Sequence, residues 1–144
     1  MTRTLALDLG RARVGVAIDD ELGAMAHARG VIDARDRPAM LARLKELVAS
    51  EGVGRIVVGL PVDMRGHEGD AARGARLTAR LIADATQVTV ELWDERMTTL
   101  AANRSLQASG VRGKRAKARI DEASAVEILE SWLAARRGRR RGGA

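Results

Sequence analysis

Two apolar runs separated by only three residues constrain this chain more than any other feature. Residues 3–9 and 13–19 both read as strands, and the connector Gly10-Arg11-Ala12 is of hairpin length, so the two must run antiparallel. Residues 26–32 read as a third strand, weakened by Gly30. Helix and strand patterns then alternate. The order predicts an α/β fold with a five-stranded mixed sheet, its first three strands antiparallel and the last two added by helical crossovers.

Pro38 opens a helix in which Met40, Leu41, Leu44, Leu47 and Val48 share a face, with Gly52 beyond its end. Residues 55–60 form a short apolar run consistent with a buried strand. A loop from Pro61 to Gly69 leads to a helix through Leu77, Leu81 and Ile82, and residues 87–93 are again strand-like. Thr98 or Thr99 caps a helix to about Ala108, ended by Gly110, and a last helix is expected over about 121–135. Residues 136–144, rich in Arg and Gly, are expected to be a disordered tail on a single domain of residues 1–135.

The chain has no cysteine, which excludes a disulfide framework and a thiolate metal site. No run approaches the ~18–20 apolar residues that span a bilayer, and no apolar signal region precedes the first strand, so a cytoplasmic protein without a membrane partner is expected. Trp93 and Trp132 are the only aromatic residues, which argues against base stacking on an aromatic platform. The net charge of +6 arises entirely in residues 112–144, where ten basic side chains meet four acidic ones. One basic cluster is Arg112, Lys114, Arg115, Lys117 and Arg119; the other is Arg136, Arg137, Arg139, Arg140 and Arg141. The second reads equally well as a solvated tail, but the first runs into Asp121 and suits a polyanionic substrate.

Three acids stand at element edges. Asp8 ends Leu5-Ala6-Leu7, Glu95 follows the run 88–93, and Asp121 begins the stripe Asp121-Ala125-Ile128-Trp132 on the last helix. Each has an ordinary alternative: a turn acceptor for Asp8, an ion pair with Arg96 for Glu95, an N-cap for Asp121. If the fold gathers them, two carboxylates ~4 Å apart repel by about 1 kcal/mol in water and about 4 at a partly buried site. A divalent cation removes that cost.

Four segments carry a resemblance to a known family. Residues 6–17 (Ala-Leu-Asp-Leu-Gly-Arg-Ala-Arg-Val-Gly-Val-Ala) are similar to a first-hairpin motif. Ile56 to Pro61 with Met64-Arg65-Gly66 resembles its central strand and loop, Trp93 to Thr99 its Asp-Glu-Arg motif, and Ile120 to Ala125 with Ile128-Leu129 its final helix. In this order they resemble the YqgF family, of ribonuclease H-like fold, associated with Holliday junction resolution and with trimming the 5′ end of pre-16S ribosomal RNA. The resemblance implies a nuclease domain over 1–135, with Asp8, Glu95 and Asp121 as catalytic metal ligands. It further implies phosphodiester hydrolysis assisted by two Mg²⁺ or Mn²⁺ ions, held by oxygen ligands.

Many nucleases of this fold use four acids; Asp19, Asp94 and Glu122 are candidates for the fourth here. Arg11 stands where the family often has Lys or Thr, and Asp63 where it commonly has Asn. Arg11, Arg13 and Arg96, together with Lys114, Arg115, Lys117 and Arg119, are expected to grip substrate phosphates, and Thr98 or Thr99 to donate to one at a helix start. His67 would assist proton transfer only if its loop closes over the site. A structured RNA precursor, met free or in a ribosomal precursor particle, is favoured over branched DNA, since a resolvase label resting on fold is a weak warrant. Junction resolution also calls for a two-fold dimer, whereas a monomer or weak homodimer is expected here. A non-catalytic nucleic-acid binding module is the alternative class; a two-lobed ATPase with a similar Asp-x-Gly loop needs a longer chain.

Overall fold

A computed structural model describes residues 2–98 and 114–142, and the side chains within that range except those of 114–119 and 139–142. Strands β1 (Arg3–Leu9), β2 (Arg13–Asp19) and β3 (Ala26–Asp33) are followed by α1 (Arg37–Glu51), β4 (Val53–Leu60), α2 (Asp70–Thr86) and β5 (Thr89–Asp94). A 3₁₀ turn, Glu95–Met97, ends β5, and α3 (Lys114–Gly142) is the last described element. The five-stranded sheet has the order β3-β2-β1-β4-β5. β2 is antiparallel to both β1 and β3, while β4 runs parallel to both β1 and β5, the mixed sheet expected from the order of elements.

The two faces of the sheet differ in residue size, and that decides what packs on each. Leu5, Leu7, Val14, Val16, Ile18, Ile56 and Val58 point to one side, where they pack with Met40, Leu44 and Leu47 of α1 and Ala79 and Ile82 of α2. The intervening positions are smaller: Ala6, Ala17 and Val57 meet Ala125, Ile128, Leu129, Trp132 and Leu133 of α3. Small residues on the sheet let α3 lie close. Fully buried Ile128 and Leu129 each contribute roughly 1.5–3 kcal/mol of transfer free energy.

Local signals explain most boundaries. Asp36 caps α1 by accepting from Ala39 N at 3.1 Å, Pro38 sits in the first turn, and Gly52 closes the helix at φ 65°. Gly30 does not end β3. At φ 86° it forms part of a bulge that leaves Arg29 and Gly30 opposite Val16.

Three expectations need correction. Leu77 of α2 is half exposed, because the buried face of that helix runs through Ala72, Ala75, Ala79, Ile82 and Thr86. The last helix is longer than 121–135 at both ends. Residues 136–142, expected from composition to be disordered, continue it, since Ala134, Ala135 and the arginines are strong helix formers, and Arg137 Nη1 donates to Ala24 O at 2.9 Å. The helix expected between Thr98 and Ala108 lies outside the described residues, apart from Thr98. Among the described residues, no helix is long and apolar enough to cross a membrane.

Candidate active site

Asp8 lies near the end of β1 with 5% of its surface exposed. Side chains alternate along a strand, so Asp8 shares the α3 face with Ala6. Its partner on β2 is Gly15, and continuing the β1–β4 register one residue past Leu7–Val58 brings it beside Gly59. Asp8 is thus the one side chain in a row of three positions, flanked by a glycine on each neighbouring strand.

Both glycines are filled from outside the sheet. A Cβ on Gly15 would stand 2.0 Å from the carbonyl oxygen of Asp121, so α3 rests on the bare backbone of β2 at that residue. A Cβ on Gly59 would stand 3.0 Å from Glu95 Oε1 and 2.7 Å from Ile128 Cδ1. The missing side chains give Asp121 and Glu95 room on either side of Asp8. A glycine inside a strand signals such a close approach, and Gly15 and Gly59 are the site-forming residues that attention to charged groups overlooks.

The Asp121 carboxylate is turned toward β2, where Arg13 Nε donates to Oδ2 at 2.8 Å. Asp121 lies well inside α3, which removes its reading as a helix N-cap. Asp94 caps the 3₁₀ turn by accepting from Arg96 N, and its carboxylate takes Arg96 Nη2 at 2.6 Å. That guanidinium contact holds the Asp94 carboxyl below its ordinary range and raises the Arg96 pKa in turn. Arg96 also lies against the loop after β4, with Nη1 3.2 Å from where a Cβ of Gly66 would be. Thr98 donates its hydroxyl to Glu95 O at 2.7 Å, closing the turn. Arg11 is exposed at the tip of the β1–β2 hairpin.

The other candidates separate. Asp19 is at the opposite end of β2 and accepts from Thr4 N at 2.8 Å, which removes it as a fourth ligand. Glu122 faces β3 and accepts from Gly30 N at 3.0 Å. His67 is held in the exposed loop after β4, its N–H bonded to Asp63 Oδ1 at 2.9 Å. Lys114, Arg115, Lys117 and Arg119 belong to the first turns of α3, and Thr99 lies outside the described residues. Among the described residues, no three His, Cys, Asp or Glu side chains stand close enough together to hold a metal ion.

Residues 2–135 match the family model described as RuvX: Holliday junction resolvase. The chain belongs to the RuvX family. This is the family that the four motifs resemble under the name YqgF. A relative from Pelotomaculum thermopropionicum, named "Putative pre-16S rRNA nuclease", is 45% identical over 132 residues, covering 91% of this chain and 86% of its own. One from Streptomyces coelicolor with the same name is 44% identical over 136 residues, covering 94% and 81%. Among solved structures, Thermus thermophilus RuvC in complex with a Holliday junction substrate aligns over 96% of this chain and 97% of its own, with TM-score 0.56 and 17% identity. The fowlpox virus Holliday junction resolvase aligns over 93% and 99%, with TM-score 0.54 and 10% identity. At those identities the likeness is one of fold, and it bears out the ribonuclease H-like architecture. The RuvX match stops at Ala135, so Arg136 and the residues after it lie outside it.

Proposed function

We propose that the chain is a divalent-metal-dependent endonuclease that hydrolyses phosphodiester bonds and processes the 5′ end of pre-16S ribosomal RNA. The observation that carries this reading is the pair of glycines beside Asp8, which admits the Glu95 carboxylate on one side and the Asp121 backbone on the other. Acids from a strand, a turn and a helix thereby share one end of the sheet. The RNA substrate draws its support from the relatives at 44–45% identity that carry that name.

The donor set fits Mg²⁺ or Mn²⁺, because Asp8, Glu95 and Asp121 offer only hard carboxylate oxygens. The carboxylates must rearrange to close on an ion, since no three described acids stand close enough together to hold one. Asp121 must turn away from Arg13, since in the structure its Oδ2 is bonded to Nε. When bound, two such ions supply an activated water and neutralise charge on the leaving 3′ oxygen. The chain's own residues do the rest. Arg13, released from Asp121, pairs with a substrate phosphate, and Arg11 offers a second exposed guanidinium on the same hairpin. Arg96 stays on Asp94 and steadies the turn that aims Glu95. Lys114, Arg115, Lys117 and Arg119 supply positive charge toward RNA, free or in a ribosomal precursor particle, and Thr98 and Thr99 are hydroxyl donors to its phosphates.

The test is a cleavage assay with Mg²⁺ or Mn²⁺ on an end-labelled pre-16S leader RNA and on a four-way DNA junction, run beside Asp8→Asn, Glu95→Gln and Asp121→Asn. Cutting of the RNA alone, lost in all three variants, is the expected result. Symmetric cutting of the junction would replace the RNA substrate with branched DNA. Tight binding without cleavage under either metal would overturn the nuclease and leave a binding module.

A further inference from the structure

The sheet-facing stripe of α3 does not end in apolar residues. Asp121, Ala125, Ile128, Trp132 and Arg136 follow one another at helical spacing, so the stripe carries an acid at the candidate active site and a guanidinium at its other end. That other end closes a cavity of about 390 Å³ against the start of β1 and the turn after β2. Arg55, Arg136 and Arg137 line it together with Asp19 and Glu21. Asp19 accepts the buried Thr4 N–H, and Arg55 is paired with Glu91 at 3.3 Å. Among the described residues, no carboxylate pairs with Arg136 or Arg137.

Arg136 is placed by an aromatic contact. Its guanidinium lies 5.1 Å from the centroid of Trp132, whose ring also meets Arg55 at 5.8 Å. Trp132 is itself fixed, with Nε1 donating to Glu91 Oε2 at 2.9 Å. Stacking on a ring orients a planar guanidinium while leaving its N–H donors for the oxygens of an anion such as a phosphate. Arg137 is steadied by its bond to Ala24 O, and the sequence adds Arg139, Arg140 and Arg141 within the next turn.

The geometry points to a second nucleic-acid contact: the cavity at Arg136 and Arg137 binds a backbone phosphate of the strand whose scissile bond lies at the Asp121 end of α3. This rests on the reading that the chain acts on nucleic acid. Fifteen residues separate Asp121 from Arg136, ~22 Å along the helix at ~1.5 Å per residue. At the ~3.4 Å per step of a B-form strand that is about six or seven steps, and somewhat more in an A-form RNA helix, whose rise is shorter. The substrate must therefore carry a structured stretch at least that long on one side of the cut. Arg136 and Arg137 lie beyond the residues that the family model matches.

Binding is tested by fluorescence anisotropy in EDTA, which separates it from cleavage, with RNA hairpin stems of about 5 and about 14 base pairs, shorter and longer than the ~22 Å span. Arg136→Gln/Arg137→Gln is expected to weaken the long stem at least five-fold and leave the short stem unchanged. With two fewer phosphates neutralised, the salt dependence on the long stem flattens by about 1.4–1.8 log units per decade. Arg137→Gln alone, which keeps the contact on Trp132, gives a smaller loss in the same direction and guards against a fold defect in the double variant. Equal weakening on both stems, or none on either, overturns the second site. If no substrate is cut but the long stem still depends on Arg136 and Arg137, the binding site stands and the nuclease reading fails. Cleavage without that dependence keeps the nuclease and removes the second site.

Discussion

Arg13 and Asp121 are 108 residues apart in sequence and 2.8 Å apart in space, one on the first hairpin and one on the last helix. The two side chains are 30% and 25% exposed, so the pair joins two elements at a site open to solvent rather than sealing a core. Pairs of this exposure stabilise by no more than about 1 kcal/mol. Arg13→Gln should therefore lower stability by less than ~1 kcal/mol in urea unfolding. Cleavage should fall at least ten-fold, chiefly through KM, because Arg13 is proposed to hold a substrate phosphate. An unchanged KM would place Arg13 among purely structural residues.

Gly15→Ala and Gly74→Ala should move stability in opposite directions. At Gly15 a Cβ meets backbone, the Asp121 carbonyl at 2.0 Å, and backbone gives way only if α3 shifts; the cost is at least the ~1–3 kcal/mol of overpacking. At Gly74, exposed inside α2, a Cβ meets nothing within 4 Å. There alanine should add roughly 0.5–1 kcal/mol by restricting the unfolded chain. Thermal midpoints of the two variants against the parent check both signs.

Gly59→Ala tests the placement of Glu95. The new methyl would press on Ile128 Cδ1 and Glu95 Oε1, both side-chain ends that can move, so about 1 kcal/mol of destabilisation is expected. Displacing the carboxylate should cost more in kcat than in folding. A ten-fold or greater fall in cleavage, with the fold retained by circular dichroism, is the outcome sought.

Asp19→Asn should reveal the cost of a buried carboxylate at the other end of the sheet. Burial raises the Asp19 pKa above its ordinary 3.8, against the lowering effect of the Thr4 N–H and of Arg3. An acid with a raised folded pKa contributes stability below the unfolded value and loses that contribution as pH rises through the folded one. The variant, which keeps an oxygen acceptor for Thr4, should therefore gain on the parent as pH rises from about 3 to about 7. Urea midpoints across that range should diverge upward; parallel curves would remove Asp19 from the pH response.

The site was legible in sequence to different depths. Asp8, Glu95 and Asp121 were visible as acids at element edges, and the family motifs tied them together. Their alternatives stayed open because periodicity says which face a residue takes on its own element and nothing about which other element lies above it. Asp121 lost its N-cap reading only when α3 proved to begin at Lys114. Asp19, Asp94 and Glu122 looked equivalent as fourth acids until Thr4, Arg96 and Gly30 were seen to occupy them. The arginine-rich segment was misread because composition weighs charge, whereas helix propensity and the contact of Arg136 with Trp132 act locally.

By itself the sequence determined the strands, the hairpin order, the mixed sheet and the three acids, because alternation, short connectors and turn residues act over a few neighbouring positions. Only the tertiary structure decided that Gly15 and Gly59 flank Asp8, that α3 presses its backbone into one gap and Glu95 fills the other, and that Arg13 holds Asp121. Those relationships depend on register between strands and on the height of a helix above a sheet. Both are set by the packing of residues distant in sequence, here the small side chains Ala6 and Ala17 beneath Ile128 and Leu129, and no local pattern along the chain encodes them.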